Sequence, residues 1–546
     1  MRLIPHIRNR YICAEHGFSM IVVMGVMAAS SLFVAAAFAA ANGDLPLTRD
    51  SQDRKQAYSA AEAGINYYQY HLNQDPDYWT KCTNVPAPNA TENQPVNQAW
   101  NGTTPTSDPR RWRKVAGTTN SYTIELMPAN GNTACVENNY ATMIDSATSS
   151  FKVRATGKSG ANSKLKRSIV ASFRRRSFLD FLYFTDFETT DPINYSSTNQ
   201  AWAQANCGDK YRAQRDDSCS EIQFADADAI NGPMHTNDDI LTCGTPTFGR
   251  NSADSIEMTG PGSAATPGYT KVGGGCPGGD PVFNGPKRAG VKALTMPPTN
   301  STLQTVAAAG GLVYTGKTII RFNSGGNMTV TNALVNGGSP QTRALPGNGV
   351  IYVKNNTGNC GTIQPPSNAN YAEGASCGNL YISGTYTSSM TLASANDIII
   401  APPGSVPLAA VTSTNPVSGG SGNADLIGSG NSVLGLVANN FVRVFHPCSP
   451  EVSPLMKTVR IDAAILSLAH SFTADNYDCG TKLDLLTING AIAQKYRGAV
   501  GTTGGTGFTK NYNYDDRLRY RSPPYFLEPV AASWHVIRSN EQVPPR

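Results

Sequence analysis

A long apolar run opens the hydrophobic pattern of this chain. From Phe18 to Ala41, twenty-four residues carry no ionisable side chain. As a helix rising about 1.5 Å per residue, this run is roughly 36 Å long, which is enough to cross the hydrocarbon core of a membrane. Arg2, Arg8 and Arg10 precede it, so the positive-inside rule places the residues after it outside the cytoplasm. The pattern predicts a single membrane span with a short cytoplasmic N-terminus.

A second helical pattern extends from Asp50 to Leu72. Asp50 or Ser51 can cap its start, and small or apolar residues recur at helical spacing along one face. We expect Ala61 and Gly64 on this face to pack against a sheet, because small side chains allow close approach. The face consists of Ala57, Ala61, Gly64, Ile65, Tyr68 and Leu72.

Alternating strands follow the second helical pattern. Ser121–Met127 alternates apolar and polar positions, as do Phe151–Gly157 and Lys164–Phe173. The last two flank a polar, Gly-containing loop, which is typical of a hairpin. The sequence therefore predicts an antiparallel sheet against the helix, and one α+β unit from residue 18 to about 176.

Beyond Phe178 the pattern changes to short β-rich runs between Gly, Asn and Pro residues. Many runs begin after Asn or Gly, as the rungs of a parallel solenoid do. Our first interpretation is a right-handed parallel β-helix; because no fixed period emerges, a β-sandwich with long loops stays open. The clearest runs are Thr318–Phe322, Gly349–Val353, Asn379–Ile382, Asp397–Ile400, Ser432–Val437, Phe441–Val444, Val459–Leu466 and Leu485–Ile492.

Composition supports a mainly-β protein outside the N-terminal region. The chain has 51 Gly and 35 Pro but only 15% charged residues, which suits short strands joined by turns. Its net charge of +5 is spread over 546 residues rather than gathered on one face. Nucleic acid is therefore not an expected partner.

The border between the basic leader and the apolar run allows three hypotheses. A secretory signal peptide would be cut at the small-x-small site Ala37-Phe38-Ala39. A plain anchor would keep Met1. The third hypothesis is cleavage after Gly17, which ends the leader directly before Phe18.

The leader ending in Gly17-Phe18 resembles the class III signal of type IV prepilins. The run A-x-x-A-A-E-A-G, from Ala57 through Glu62 to Gly64, closely resembles the end of the long first helix in PilX-type minor pilins. The resemblance covers about the first eighty residues. It implies that a prepilin peptidase cuts after Gly17 and methylates Phe18, and that the retained helix first spans the membrane and later packs against other pilin or pseudopilin subunits.

One position departs from the family. Major pilins carry a glutamate at the fifth mature position, where this chain has Val22. In the family that carboxylate offsets the buried amino terminus of an adjacent subunit, a charge that is costly to leave unpaired. The resemblance therefore implies a minor or tip subunit rather than a repeating one.

The expected organisation has five segments. They are a basic leader (1–17), a transmembrane helix (18–41), a pilin-like helix and antiparallel sheet (42–176), a β-solenoid-like region (177–510) and an aromatic, Pro-rich C-terminal cap (511–546).

Ten of the eleven cysteines lie after the leader, and an even number in a translocated protein suggests disulfides. Their spacing lacks the paired C-x-x-C of a zinc site, so no metal is expected. Connectivity cannot be deduced from sequence, but local loops close at least entropic cost, which favours sequential pairing. The predicted pairs are Cys82 with Cys135, Cys207 with Cys219, Cys243 with Cys276, Cys360 with Cys377 and Cys448 with Cys479.

Enzymatic residues are sparse. His235 with Asp238 or Asp239 could ligate a metal or form a base and its orienting carboxylate, although the Gly- and Pro-rich surroundings suit a structural turn. Asp186 and Glu188 stand two apart, and paired carboxylates can serve glycoside hydrolysis. A membrane-anchored polysaccharide-active enzyme, using Asp186, Glu188, His235 and Asp238, is the second hypothesis.

Two further features have a structural and a binding interpretation. The triple arginine at 174–176 suits a solvated strand end, and alternatively a phosphate head group or polyanionic wall polymer. The tail suits a core cap, and alternatively a sugar-stacking surface. Its aromatic residues are Tyr512, Tyr514, Tyr520, Tyr525, Phe526 and Trp534.

The first hypothesis for function is a minor type IV pilus or pseudopilus-like subunit. It would be anchored in the membrane and would display a large β region for filament assembly or surface attachment. The expected partners are the membrane, other pilin-like subunits and a prepilin peptidase, with cell-surface polysaccharide as a further candidate. No cofactor is expected.

Overall fold

The first helix, α1 (Met20–Gln74), is one continuous element of 55 residues. It runs through Gly43 and Pro46, although proline has no amide hydrogen for the helical ladder and normally weakens it. The computed structural model describes residues 20–75, 78–82, 112–129, 131–132, 135–136, 142–145, 150–160, 164–226, 228–272, 275–323, 325–357, 360, 365–369, 371, 373–400, 410–413, 432–448, 457–502, 505–519, 521–530 and 534–545, without the side chains of 39–47 and 80–81.

The C-terminal half of α1 lies on an antiparallel sheet. Its strands are β1 (Arg113–Lys114), β2 (Ser121–Met127), β3 (Ser150–Lys158) and β4 (Lys166–Arg175). The predicted hairpin is confirmed as β3 and β4, with Thr156 opposite Ser168. An antiparallel sheet can bury one face and leave the other in solvent, and here the buried face receives the helix.

The core of this first unit is rich in aromatic rings. Phe151 stacks on Phe173 with ring centroids 5.4 Å apart, and Tyr68 of α1 contacts Phe173 at 5.8 Å. Trp79 and Trp534 complete the cluster, at 5.4 Å and 4.8 Å from Phe151. Large rings bury much apolar area in a small unit, so they supply much of its hydrophobic stabilisation.

The second unit is a large mainly-β region. Its strands are β5 (Tyr183–Thr190), β6 (Ala229–Asn231), β7 (Met234–Thr236), β8 (Ile240–Thr242), β9 (Thr247–Phe248), β10 (Ile256–Met258), β11 (Tyr269–Lys271), β12 (Val282–Phe283), β13 (Lys287–Ala289), β14 (Leu312–Thr315), β15 (Thr318–Asn323), β16 (Asn327–Asn332), β17 (Gln341–Ala344), β18 (Val350–Lys354), β19 (Leu380–Tyr386), β20 (Met390–Ser394), β21 (Ile398–Ile400), β22 (Ala410–Ser413), β23 (Leu434–Ala438), β24 (Val442–Val444), β25 (Val459–Ser467), β26 (Phe472–Ala474), β27 (Lys482–Arg497) and β28 (Gly507–Tyr514). The region also contains the helices α2 (Gln200–Asn206) and α3 (Ser301–Gly310).

Most of these strands pair in three long parallel ladders, while β8 and β11 form a separate two-stranded parallel sheet. Ladder one runs in the order β14-β18-β20-β23-β25-β27-β5-β7-β10-β13. Ladder two contains β15-β19-β21-β24-β26, and ladder three contains β19-β22-β25-β27-β28-β6-β9-β12. The antiparallel strands β16 and β17 extend ladder two beyond β15.

Because successive strands of a ladder are in register, similar side chains stack on one another. Leu392, Leu436, Ile465 and Ile492 occupy equivalent positions on four successive strands of ladder one, and all are buried. Neighbouring strands lie about 4.8 Å apart, so such columns form a continuous apolar core along the ladder. The eight runs predicted beyond Phe178 all correspond to strands of this region.

The chain enters and leaves ladder one in its middle. It enters at β5, builds outward to β13, and returns through residues 290–311 to start again at β14. The last coil then closes on the first, because β27 pairs with β5 (Ile492 opposite Tyr183). We call this contact the seam. It brings the two chain ends of the region close together.

The last strand, β29 (Trp534–Gln542), returns to the first unit. It pairs antiparallel with β4, with Trp534 opposite Arg175. The sequence had grouped it with an aromatic cap, but Trp534 is instead buried in the core of the first sheet. Both connections between the units are thus adjacent strands of one sheet.

Four of the five predicted cysteine pairs are at disulfide distance. Their Cα atoms lie 5.3 to 5.9 Å apart. The fifth pair, Cys360 with Cys377, is not bonded, so this prediction is wrong. The Cys377 thiol instead donates to the Cys360 carbonyl at 3.0 Å, while the Cys360 thiol contacts the Asn355 side chain at 3.1 Å.

The triple arginine forms the junction between the units, so the expectation of a solvated strand end is wrong. Arg174 is only 1% exposed and donates to the carbonyl of Leu518 at 3.3 Å. Arg175 lies over the ring of Trp534, and Arg176 pairs with Glu257 of the parallel region. Arg174 and Arg176 therefore fasten the sheet to the parallel region, while Arg175 packs within the first unit.

Glu528 makes this junction sensitive to pH. It is surrounded by Arg174, Arg175, Ser177 and Asp180, and burial raises the pKa of its carboxyl from 4.5 to about 7 while Arg174 opposes the rise. The folded state therefore retains a proton that the unfolded state loses near pH 4.5. Stability is expected to fall as the pH rises from about 5 to about 7.

Melting temperature measured against pH tests this expectation. The Glu528→Gln variant cannot lose a proton, so its melting temperature should fall less than that of the unsubstituted chain across this window. Equal slopes in the two proteins would contradict the assignment to Glu528.

Candidate functional site

The N-terminal part of α1 is an exposed apolar rod. Met20–Phe38 is long and apolar enough to cross a membrane by length and composition, and none of that stretch is buried within the protein. Val22 lies within it and is exposed. Exposed apolar area of this extent needs a lipid or protein environment, because it is unfavourable in water. Gly17 and Phe18 lie outside the described residues.

The C-terminal part of α1 uses its small residues against its own sheet. Ala57, Ala61 and Gly64 are buried, and a Cβ added at Gly64 would lie 3.0 Å from the ring of Tyr122. On the sheet side there is also no space for a side chain at Gly157, because an added Cβ would overlap the carbonyl oxygen of Ala57. Helix and strand backbones touch here, which only small residues permit.

This packing limits which predicted assembly residues can meet another subunit. Ile65 and Tyr68 are buried in the first unit, as are Ala57, Ala61 and Gly64. Glu62 lies on the opposite, exposed face. A neighbouring subunit could therefore contact Glu62 and the apolar rod without displacing the sheet, but not the other five.

Of the proposed catalytic residues, His235 is fully buried. Its ring is stacked on Phe184, with centroids 5.6 Å apart. Nδ1 lies 3.0 Å from a carboxylate oxygen of Glu257, and Nε2 lies 3.1 Å from the side-chain oxygen of Asn237. Both ring nitrogens therefore have partners, and the geometry favours a structural role.

Asp238 holds a loop in place. It pairs with Arg215 at 2.6 Å and accepts hydrogen bonds from the backbone amides of Arg212 at 2.8 Å and Glu188 at 3.0 Å. It is buried. Its oxygens already accept several hydrogen bonds, which leaves this carboxylate little capacity for catalysis.

Glu188 belongs to a buried charge cluster at the seam. It pairs with Arg497 at 3.2 Å, while Lys510 of β28 pairs with Asp228 at 3.0 Å. Burial raises the pKa of Glu188 and lowers that of Lys510, since both charged forms lose hydration. These pairs join the first and last strands of the region, which the sequence could not place together.

Asp186 is the one member of the four that is partly exposed. Its Oδ1 accepts hydrogen bonds from Asn237 at 2.8 Å and from the Tyr211 hydroxyl at 3.3 Å. Burial raises the pKa of its carboxyl, and the hydrogen bonds from Asn237 and Tyr211 oppose that rise. The structure brings Asp186 close to Asn237 and Tyr211 rather than to a second free acid. Within the described parts of the chain, no group of three or more acidic, His or Cys residues could hold a metal ion.

A second charge cluster escaped the sequence interpretation. Arg443 on β24 pairs with Asp397 at 2.9 Å and with Asp475 at 2.6 Å, on neighbouring strands of ladder two. Tyr371 donates to Asp475 at 2.6 Å. Burial would lower the pKa of Arg443, but Asp475 and Asp397 outweigh it and raise that pKa. The sequence shows only that Asp397 precedes one short apolar run, that Asp475 follows another and that Arg443 lies inside a third.

The tail aromatics that the structure describes do not form an exposed sugar surface. Tyr512 and Tyr514 are buried on β28, Phe526 is buried beside Gly435, and Trp534 is in the first core. Tyr525 is 42% exposed, and Tyr520 lies outside the described residues.

No known protein family and no curated protein sequence matches this chain. Among solved structures, the competence-associated pilin ComZ from Thermus thermophilus is similar to it with a TM-score of 0.29 and 12% sequence identity. The similarity covers 90% of this chain and 98% of that chain. At this TM-score it defines neither the fold nor the function of the chain.

Proposed function

We propose that this chain is a minor type IV pilus or pseudopilus-like subunit with a PilX-type N-terminal region. A prepilin peptidase removes residues 1–17, and the retained helix anchors the protein with its bulk outside the cytoplasm. The parallel region is then displayed for filament assembly or surface attachment.

The observation that carries the proposal is that α1 is one helix with two environments. Met20–Phe38 is apolar and exposed, whereas Ala57, Ala61 and Tyr68 are buried on an antiparallel sheet. A signal peptide removed after Ala39 would cut this element in two. The helix would first lie in lipid and later pack against other helices. It must be continuous for this, because its position in the filament then fixes the position of the folded unit.

The size of the parallel region favours a subunit that displays this region at one place over a subunit that repeats along the filament. We propose that its three ladders coil as a right-handed parallel β-helix, since parallel connections are right-handed in about 98% of cases. A β-sandwich would require antiparallel pairing. Together with Val22 in place of the family glutamate, a region of this size favours the tip of a filament, where no subunit must pack above it.

The surroundings of three buried ionisable residues favour a non-enzymatic role within this proposal. His235, Glu188 and Asp238 each have their hydrogen-bonding groups engaged by neighbours. Their positions serve the seam and the loop that follows β5.

Intact mass of the mature protein tests the proposal. We expect a chain that begins at Phe18 and carries one methyl group on its amino terminus, because the leader ends in Gly17. Replacing Gly17 by a bulky residue should retain the leader, whereas the same replacement at Gly25, which has open space around it, should leave processing unchanged. A mature start near Ala40 would contradict the proposal and indicate ordinary secretion.

A further inference from the structure

A disulfide-stapled excursion projects from the parallel region between β5 and β6. It spans residues 191–222, contains α2, and is closed by Cys207–Cys219. Arg215 anchors it to Asp238 at 2.6 Å, and Tyr195 donates to the Cys207 sulfur at 3.8 Å. The excursion is therefore held firmly against the outside of ladder one.

Three aromatic rings stack where the excursion meets the ladder. Phe187 contacts both of the others, with its ring centroid 5.1 Å from that of Tyr211 and 5.5 Å from that of Tyr496, and each pair is inclined by 29°. Phe187 and Tyr496 are buried, while Tyr211 is 36% exposed. We call these three residues the ring stack. The outer ring is thus fixed in orientation before any ligand arrives, which reduces the entropy lost on binding.

Hydrogen-bonding groups surround the exposed ring. Asp186 uses Oδ1 for Tyr211 and Asn237, and among the described residues no partner is found for its Oδ2. Lys495 and Asp209 pair at 2.7 Å, and Asp209 also accepts a hydrogen bond from Tyr496 at 3.1 Å. Tyr496 packs on Phe187, the ring that also contacts Tyr211, so this ion pair lies on the other neighbour of the same ring.

We propose that Tyr211 and Asp186 form a binding site for a neutral saccharide chain. The apolar face of a pyranose would stack on the exposed side of Tyr211, and a ring hydroxyl would donate to Asp186 Oδ2. Lys495 and Asp209 would supply a donor and an acceptor to further hydroxyls. This inference rests on the proposed display function and names a ligand class for it.

The surroundings of the ring favour a neutral sugar over other occupants. A polyanion would require a patch of one charge sign, but here Asp186 and Asp209 accompany Lys495 and Lys210. An apolar peptide would require a broad hydrophobic groove, whereas the described neighbours of the Tyr211 ring include the polar groups of Asp186 and Asn237. A flat ring beside hydrogen-bonding groups matches a molecule with an apolar face and a hydroxylated edge.

Glycan binding by the full-length chain tests the site. The protein is held in a non-glycosidic detergent, because a maltoside head group would compete, and is titrated with a panel of neutral and acidic hexose oligomers. We expect binding to one or more neutral oligomers. Tyr211→Ala should weaken it about tenfold or more, since it removes the stacking ring. Tyr211→Phe keeps the ring and should retain most of the affinity, while Asp186→Asn should weaken binding.

Tyr525→Ala is the matched control. Tyr525 is also exposed, at 42%. It follows Pro524, which lies next to Gly349, and the Gly349 carbonyl accepts a hydrogen bond from Thr391 on β20 of ladder one. Four strand spacings separate that position from β5, or about 19 Å. This variant should bind as the unsubstituted chain does. Absence of binding to every neutral oligomer, or unchanged affinity in Tyr211→Ala, would overturn the site.

The proposed function is tested separately on the same samples, by the mass of the mature amino terminus. Tyr211→Ala should still have a methylated Phe18, because the ring stack is far from the leader in the chain. Loss of glycan binding with normal processing would concern the saccharide site alone, whereas glycan binding by a chain that starts near Ala40 would contradict the pilin-like function and leave the saccharide site intact.

Discussion

Replacing Arg443 by methionine is expected to destabilise the parallel region by about 3–5 kcal/mol. Methionine fills a similar volume but leaves Asp397 and Asp475 buried beside each other without a cation. Asp475 is fully buried, and burial already raises the pKa of its carboxyl. Chemical denaturation, followed by the circular dichroism signal of β structure, measures the loss in the free energy of unfolding.

Arg460→Met is the control for this substitution. Arg460 pairs with Asp462 at 3.0 Å, but its side chain is 35% exposed, so solvent screens the pair. Exposed pairs contribute about 0–1 kcal/mol. If the two variants lost similar stability, the buried cluster would not be the main electrostatic support of ladder two. Adding Asp475→Asn to Arg443→Met should recover part of the loss, because it removes one uncompensated charge.

Replacing Gly157 by valine is expected to separate α1 from its sheet, at a cost of about 3 kcal/mol or more. The new Cβ would overlap the backbone of Ala57 and lie against that of Ala61, and backbone atoms cannot move aside as a flexible side chain can. Hydrogen exchange of residues 50–74 should show lost protection, while the strands of the parallel region should stay protected.

Gly347→Val provides the matched control. Nothing lies within 4 Å of a Cβ built at Gly347, and its backbone is not in the left-handed region. Surface changes of this kind usually alter stability by less than about 0.5 kcal/mol. Retained protection of residues 50–74 in Gly157→Val would show that the helix does not depend on this close contact.

Most strands that form a distinct apolar run were predicted from the sequence, although β14 was not. Ile398–Ile400 and Val459–Ser467 were recognised because each forms a distinct run in the sequence. The rungs between β6 and β13 were missed, since each is two or three residues long and sits among Gly, Pro and Asp. Strands this short exist because parallel neighbours on both sides supply their hydrogen bonds.

The candidate site was only partly visible in sequence. Asp186 was singled out, but as half of a pair with Glu188, and the two have different neighbours in the fold. Asp186 contacts Tyr211 and Asn237 on the outside of ladder one, while Glu188 pairs with Arg497 at the seam. Tyr211 carried no signal, because its importance depends on stacking against Phe187.

By itself the sequence determined the apolar rod, the small-residue face of α1 and the antiparallel hairpin, and its order of cysteines predicted four pairs that lie at disulfide distance. The first three features depend on residue type at a fixed spacing along the chain, and the cysteine pairs join successive cysteines. Only the tertiary structure decided that the chain enters ladder one in its middle, that Trp534 completes the first core, and that Arg174 and Arg176 join the two units. Those contacts link residues from 81 to more than 300 positions apart, and no local pattern of hydrophobicity or charge specifies which distant strands will pair.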